Sequence, residues 1–224
     1  MKVLAIDVGG SHVKILASGH PPEEARRVES GPHLGPRETV AAVRELARGW
    51  AFEAVSIGVP GPVKNGRPTR EPWNLGPGWV GYDFEAAFAL PTRVVNDAAM
   101  QALGSHAGGS MLFLGLGTGL GSALVVGDLL APLELAHLPY RKGRSYEDYV
   151  GDAGLERRGR RKWRRSVSDV CRLFGGAFLV DEIVLGGGNV RLLKELPERC
   201  RRGDNANAFD GGFRLWQTEP SPSS

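Results

Sequence analysis

Cysteine is nearly absent: the 224 residues contain two, Cys171 and Cys200. Two thiols cannot build a disulfide scaffold, and neither has the partners of a Cys-rich zinc site. Long apolar runs are missing as well, and no stretch approaches the ~20 residues of a membrane-spanning helix. The opening segment meets an acid at Asp7, too early for a secretory signal peptide. The expectation is a reduced, cytoplasmic protein with no membrane partner. A collagen repeat is also absent, yet glycine is abundant at 32 residues, about twice its usual share. These glycines are expected in turns and at close backbone contacts.

The net charge of +3 hides an uneven distribution. Residues 141–165 carry ten Lys/Arg against four Asp/Glu, and Arg157, Arg158, Arg160, Arg161, Lys162, Arg164 and Arg165 fall within nine positions. Three readings stand: a solvated helix face, a patch for polyphosphate or another phosphate-rich ligand, or a nucleic-acid surface. Adjacent basic residues on a helix cannot all face one ligand, so the run is a patch and not a fitted site.

Apolar residues 3–8 form a predicted strand ending at Asp7, followed by Gly9-Gly10-Ser11 and a second strand over 13–17. The design returns 108 residues later. Met111-Leu-Phe-Leu-Gly-Leu-Gly-Thr-Gly119 overlays Val3-Leu-Ala-Ile-Asp-Val-Gly-Gly-Ser11, and Ser122 then falls over Lys14. Two such units imply two lobes of like construction, roughly 1–104 and 105–204, with a C-terminal helix 205–216 returning to the first. Further elements are predicted as a helix over 38–48, strands at 55–59, 93–95 and 183–185, and helices over 98–105, 163–177, 189–196 and 204–216. Residues 64–82 are expected to form a long loop, and the last eight residues a frayed end.

Several clusters suit chemistry. Backbone amides of a turn built on Gly9, Gly10 and Ser11 can converge on phosphate oxygens. Asp7 at the strand end can hold Mg²⁺ or simply cap the turn, and Lys14 can offset phosphate charge or sit on an exposed strand edge. Gly117, Thr118 and Gly119 offer a second phosphate turn; a P-loop is excluded by the missing GKS/GKT ending. Asp97, at a predicted helix start, is a natural N-cap or a base for a sugar hydroxyl, and Asn96 beside it can donate and accept hydrogen bonds. An ordinary aspartate is ionised at neutral pH, so a base role there requires no special tuning. Glu134 and His137, three apart, can converge on one polyol. Glu147 suits a sugar or a surface ion pair.

Taken in order, Asp7-Val-Gly-Gly-Ser-His-Val-Lys14, Gly58-Val-Pro-Gly-Pro-Val63, Trp73-Asn-Leu75, Asn96-Asp-Ala98, Gly115-Leu-Gly-Thr-Gly-Leu-Gly121, Glu134-Leu-Ala-His137 and Leu185-Gly-Gly-Gly-Asn189 resemble the ROK family of sugar kinases, and within it the polyphosphate glucokinase branch. The resemblance spans nearly the whole chain. It implies an α/β, actin-like and ribonuclease H-like fold of two lobes around a cleft, assembled as a homodimer. It further implies phosphoryl transfer from polyphosphate and/or ATP to the 6-hydroxyl of glucose or a similar hexose, with Mg²⁺. By resemblance Asp97 is the general base, and Gly61, Asn74, Asn96, Glu134, His137 and Glu147 lie on the sugar side. Asp7 and both glycine turns embrace the transferred phosphate, while Gly187, Gly188 and Asn189 approach the donor.

The sequence departs from the family pattern in places. The cysteine cluster that binds zinc in many ROK proteins is missing, as is usual in the polyphosphate branch, so no structural zinc is expected. Ala136 stands where glycine is usual, and its methyl can perturb a tight turn. Residues 138–162 are short. The chain opens on its first strand with no helix-turn-helix, against a DNA-binding regulator; a non-catalytic sugar sensor of the same fold is the competing class.

Overall fold

An uninterrupted apolar run makes a strand that must be covered on both faces, and the first strand, β1 (Val3–Val8), is buried along its whole length. The computed structural model describes residues 1–204 and 206–217, and these form two units, Met1–Gly104 with Ala206–Ser224, and Ser105–Asn205.

In the first unit β1 is followed by β2 (His12–Ala17), β3 (Arg26–Glu29), α1 (Pro36–Leu46) and β4 (Ala54–Val59). Then come the short hairpin β5 (Val63–Lys64) and β6 (Arg67–Pro68), α2 (Phe84–Phe88), β7 (Thr92–Asn96) and α3 (Asp97–Ser105). The sheet order is β3-β2-β1-β4-β7. β1 runs antiparallel to β2 and parallel to β4, which is parallel to β7. Leu4, Ile6, Val13, Ile15, Val55 and Ile57 pack with Val40, Val43, Trp79 and Phe84. Ala5 and Leu16 instead meet Phe209 of the C-terminal helix. That helix approaches α3 so closely that a Cβ on Gly104 or Gly211 would overlap the facing helix backbone.

The second unit opens with β8 (Ser110–Leu116), β9 (Leu120–Val126) and β10 (Leu129–Leu133). A 3-10 turn, Leu135–His137, leads to the hairpin β11 (Pro139–Arg141) and β12 (Arg144–Ser145), then α4 (Glu147–Val150) and α5 (Asp152–Phe178). β13 (Glu182–Gly186) and β14 (Cys200–Arg202) complete a sheet of order β10-β9-β8-β13-β14. The chain then returns to the first unit as α6 (Asn207–Arg214). The two sheets have the same pattern: an antiparallel three-strand meander continued by two parallel strands. α5 buries Trp163, Val167, Val170 and Phe174 against Leu112, Leu114 and Leu185. Its helical geometry breaks at Gly159, where φ is 71°.

Some expectations are corrected. The span 64–82 contains the end of a hairpin, closed by Asn65 and Gly66, both at positive φ. The helix expected over 189–196 is a 3-10 segment, Gly188–Leu192, and the final helix is shorter than 204–216. The strands β3, β10 and β14 were not read from the sequence. The expected frayed end falls on residues 217–224, of which 218–224 lie outside the described residues. Both cysteines are free; the neighbouring Cys200 and burial push the Cys171 thiol up, and the proximity of Cys171 brings the Cys200 thiol down.

The internal repeat also needs one adjustment. Val8 pairs with Val13 across four turn residues, whereas Leu116 pairs with Leu120 across three. The first strands therefore match at an offset of 108 and the second strands at 107. Gly121, opposite Gly115, occupies the place that Lys14 holds opposite Asp7; Ser122 does not.

Candidate functional site

Parallel strands present their carboxyl ends together, and the loops leaving that edge are where ligands meet open α/β sheets. In the first unit Asp7, Gly58 and Val95 stand in one row of the sheet, so the turns after β1, β4 and β7 leave a common edge. The amide of Gly9 donates to the His12 carbonyl at 2.9 Å, closing the first turn. Ser30 fixes it from outside: its Oγ donates to the Gly9 carbonyl at 2.6 Å and its amide to the Ser11 carbonyl at 3.0 Å. Nothing in the local sequence signals Ser30, because its partner lies about twenty residues away. Gly10 and Ser11 stay exposed.

Asp7 is 7% exposed. Burial pushes its carboxyl above the usual range, opposed by the Lys14 ammonium, whose Nζ lies 4.0 Å away. Asn74 lies against the same turn, its Nδ2 at 3.6 Å from where a Cβ of Gly10 would stand. Gly10, Ser11, His12, Glu29, Ser30, Trp73 and Asn74 line an open concavity of about 560 Å³. Trp73 is 95% exposed there, an indole left in water.

Asn96 and Asp97 mark the junction of β7 and α3. Asn96 Nδ2 donates to the Gly61 carbonyl at 3.0 Å, and Asn96 Oδ1 accepts from the Ala99 amide at 3.2 Å. The helix cap is therefore the side chain of Asn96, one residue before the Asp97 that the sequence offered for it. Asp97 is half-buried, with Oδ1 accepting from the Ala98 amide at 2.9 Å. Gly61 takes a φ of +93°, a conformation glycine adopts without strain, and this turns its carbonyl toward Asn96. The first unit thus collects Asp7, Gly9, Gly10, Ser11, Lys14 and Asn74 around one turn, and Gly61, Asn96 and Asp97 around another.

The second unit gathers the rest. Gly117, Thr118 and Gly119 form the β8–β9 turn, with Thr118 exposed. Glu147, at the start of α4, packs so tightly on this turn that a Cβ on Gly119 would run into its carboxylate. The neighbouring acid carries the local hydrogen bonds: the Ser145 amide and hydroxyl donate to Asp148, holding its carboxyl below the usual range. His137 Nε2 lies 3.8 Å from Glu134 Oε2, both side chains about half exposed. Ala136 is buried in the 3-10 turn and has no positive φ, so its methyl fits where glycine is usual in the resemblance. Gly187 has φ +83°, and a Cβ there would overlap the Leu116 backbone; the Gly187-Gly188-Asn189 loop is thereby laid along the β8 end.

The basic run divides. Arg157 donates to the Asp148 carbonyl at 2.5 Å, Arg158 binds Ser166 and lies over Tyr149, and Arg164 donates to the Leu192 carbonyl at 2.6 Å. Arg160, Arg161, Lys162 and Arg165 are exposed. Three of the seven are thus engaged by the fold, and the exposed remainder is a smaller patch than the sequence suggests.

Among the described residues no group of three or more His, Cys, Asp or Glu is arranged to hold a metal ion. Mg²⁺ arriving with substrate phosphates needs only one or two carboxylates and keeps its waters. Asp7 beside the open Ser11 turn fits that mode. No helix among the described residues is long and apolar enough to cross a membrane.

No family model matches the sequence. The kanosamine kinase of Amycolatopsis mediterranei is 32% identical over 145 residues, covering 58% of this chain and 47% of that one. The bifunctional enzyme NanE/NanK of Brucella melitensis is 28% identical over 145 residues, covering 57% and 27%. The matched segment thus spans about half or less of these relatives. Structural likeness is broader. The inorganic polyphosphate/ATP-glucomannokinase of Arthrobacter sp. strain KM aligns with a TM-score of 0.74 at 22% identity, covering 96% of this chain and 98% of that one. The ROK family glucokinase of Streptomyces griseus, solved with glucose and AMPPNP, gives 0.72 at 17% identity over 97% and 100%. A ROK family transcriptional regulator gives 0.68 at 14% identity over 96% and 77%.

The class is a mixed α/β protein of actin-like fold, with two sheets of matching order. Within that class the fold is the one found in ROK family sugar kinases.

Proposed function

We propose that the protein is a sugar kinase, transferring a phosphoryl group from polyphosphate and/or ATP to the 6-hydroxyl of glucose or a similar hexose. The observation that carries this reading is the β7–α3 junction. Asn96 serves both the Gly61 carbonyl and the Ala99 amide, and the adjacent Asp97 carboxylate is held half-buried at a strand end. A carboxylate fixed at this strand end can take the proton of a sugar hydroxyl as its oxygen attacks phosphorus.

In the proposed reaction the sugar hydroxyl oxygen attacks the terminal phosphorus. Its proton passes to Asp97, and the bond to the donor's bridging oxygen breaks. Asn96, Glu134, His137 and Glu147 hold the ring hydroxyls, with Gly61 and Asn74 beside them. Amides of Gly9, Gly10 and Ser11 and of Gly117, Thr118 and Gly119 meet charge on the transferred group, Lys14 adds a cation, and Gly187, Gly188 and Asn189 face the donor. Asp7 would hold Mg²⁺ directly or through water, and the ion would neutralise phosphate charge. The exposed Arg160, Arg161, Lys162 and Arg165 support polyphosphate as one donor.

The test is a coupled assay with ATP and with polyphosphate, against glucose, mannose, glucosamine and kanosamine. Donor-dependent sugar phosphate is expected, with Asp97→Asn lowering kcat about 10²–10⁴-fold while sugar affinity changes little. Near-normal turnover in that variant removes Asp97 from the base role. Sugar binding without transfer from either donor would favour the sensor. Size-exclusion chromatography with light scattering tests the homodimer.

A further inference from the structure

Asp152 belongs to none of the motifs described above, yet it touches two of them. As the first residue of α5 its amide has no partner within the helix. It donates instead to the carbonyls of Gly117 at 3.0 Å and Thr118 at 3.3 Å. Its carboxylate accepts from Asn189 Nδ2 at 2.6 Å, and that same amide nitrogen lies 3.5 Å from the Gly117 carbonyl. The preceding Gly151 completes the approach, since a Cβ there would stand 2.8 Å from the Thr118 carbonyl. Three segments far apart in sequence, the β8–β9 turn, the start of α5 and the loop after β13, therefore meet at one residue, the turn on its backbone amide and Asn189 on its carboxylate.

We infer that Asp152 is a positioning residue for the phosphate donor: it holds the Gly117–Gly119 turn and Asn189 in one fixed arrangement. The inference rests on the sugar-kinase reading. A glycine turn is costly to order, so amides held in place before the donor arrives bind it with less entropy lost. A hydrogen bond to a carboxylate is stronger than a neutral one, and 2.6 Å lies within the charge-assisted range. The acid does this without contacting the donor.

The experiment compares Asp152→Ala, Asp152→Asn, Asn189→Ala and the Asp152→Ala/Asn189→Ala double variant. Asp152→Ala is expected to raise the donor KM about tenfold, the loss of one such hydrogen bond, with sugar KM and Tm close to wild type. Asp152→Asn keeps an acceptor oxygen for Asn189 and should recover most of the loss. Asn189→Ala should raise the donor KM at least as much as Asp152→Ala, because Asn189 also faces the donor, and the double variant should be no worse than Asn189→Ala, in which the Asp152–Asn189 contact is already lost. Amide hydrogen exchange supplies a readout independent of turnover: protection of the Gly117 amide and of the residue-152 amide that clasps the turn should fall in Asp152→Ala and return in Asp152→Asn. An unchanged donor KM in Asp152→Ala of an active enzyme overturns the inference. So does an equal rise in both KM values with a lowered Tm, or failure of Asp152→Asn to recover. A wild-type protein that transfers no phosphate defeats the kinase reading instead, and exchange then decides the positioning role alone.

Discussion

Where the first unit ends its opening strand on Asp7, with Lys14 opposite, the second unit has Gly115 with Gly121 opposite. The sheet orders agree, the turns do not. The first turn is four residues long, follows a strand that ends on a buried acid and is braced by Ser30; the second is three residues long and is braced by Asp152, Gly187 and Glu147 from later in the chain. A duplicated scaffold has kept its hydrogen-bond ladder, which any apolar strand can supply. In the first hairpin charge sits on the strands, as Asp7 and Lys14; β8 and β9 carry none, and the acids near their turn, Glu147 and Asp152, stand on later helices. Such a division suits two different tasks at like positions.

The comparison can be pressed hardest at the glycines following the parallel strands. Gly187→Ala would combine a left-handed φ with overlap on the Leu116 backbone, and should cost about 3 kcal/mol or more. Gly61→Ala has the same strain but open space around the new methyl, so about 1–2 kcal/mol is expected. Chemical denaturation of both variants checks this; equal losses would mean that the second turn is not pinned by its neighbour.

Next in size is Asp7→Asn, which removes the acid that the second hairpin lacks and leaves Lys14 as the first hairpin's remaining charge. Transfer should fall about 100-fold, since charge placed at the phosphate is lost, while Tm holds or rises because a desolvated carboxyl has been removed. Steady-state rates beside a thermal melt give both halves. A variant with wild-type turnover would strip the asymmetry of its meaning.

The two fully buried tryptophans differ less. Trp163 Nε1 donates to the Val150 carbonyl at 2.7 Å, whereas Trp79 Nε1 finds no partner among the described residues. Trp163→Phe should cost about 2–3 kcal/mol and Trp79→Phe about 1 kcal/mol less, because only the former orphans a carbonyl. Denaturant midpoints measure the gap.

The smallest effect concerns acid stability. Hydrogen bonds from Tyr140 and Arg172, and the nearby Arg141, hold the Asp169 carboxyl below its usual range. The folded value thus lies under the unfolded one near 4, so its stabilisation is complete above about pH 4 and fades as pH drops through the folded value. Asp169→Asn should lose about 1 kcal/mol at neutral pH, the arginines being largely exposed. Its stability should also fall less steeply under acid than that of wild type.

Much of this was visible before folding. Strand–turn–strand units announce themselves because apolar runs end abruptly in glycine, and that contrast survives in any context. The edge strands did not: β3 is Arg-Arg-Val-Glu, β14 is Cys-Arg-Arg, and β10 contains Pro132. An edge pairs on one side only and tolerates charge and proline, so its composition looks like loop. Gly187 could be seen as flexible, but its contact with Leu116 depends on β13 lying beside β8. Likewise Asp97 looked like its helix's cap until the side chain of Asn96 was seen in that role.

The order of amino acids by itself settled the apolar central strands, where glycine must bend the chain and which acids stand at strand ends, because these follow from local sterics and alternation. Only tertiary structure decided the one-residue difference between the turns, the partners of Ser30 and Asp152, and which arginines of the basic run remain in water. Those depend on distances between segments remote in sequence, and no local pattern encodes a distance.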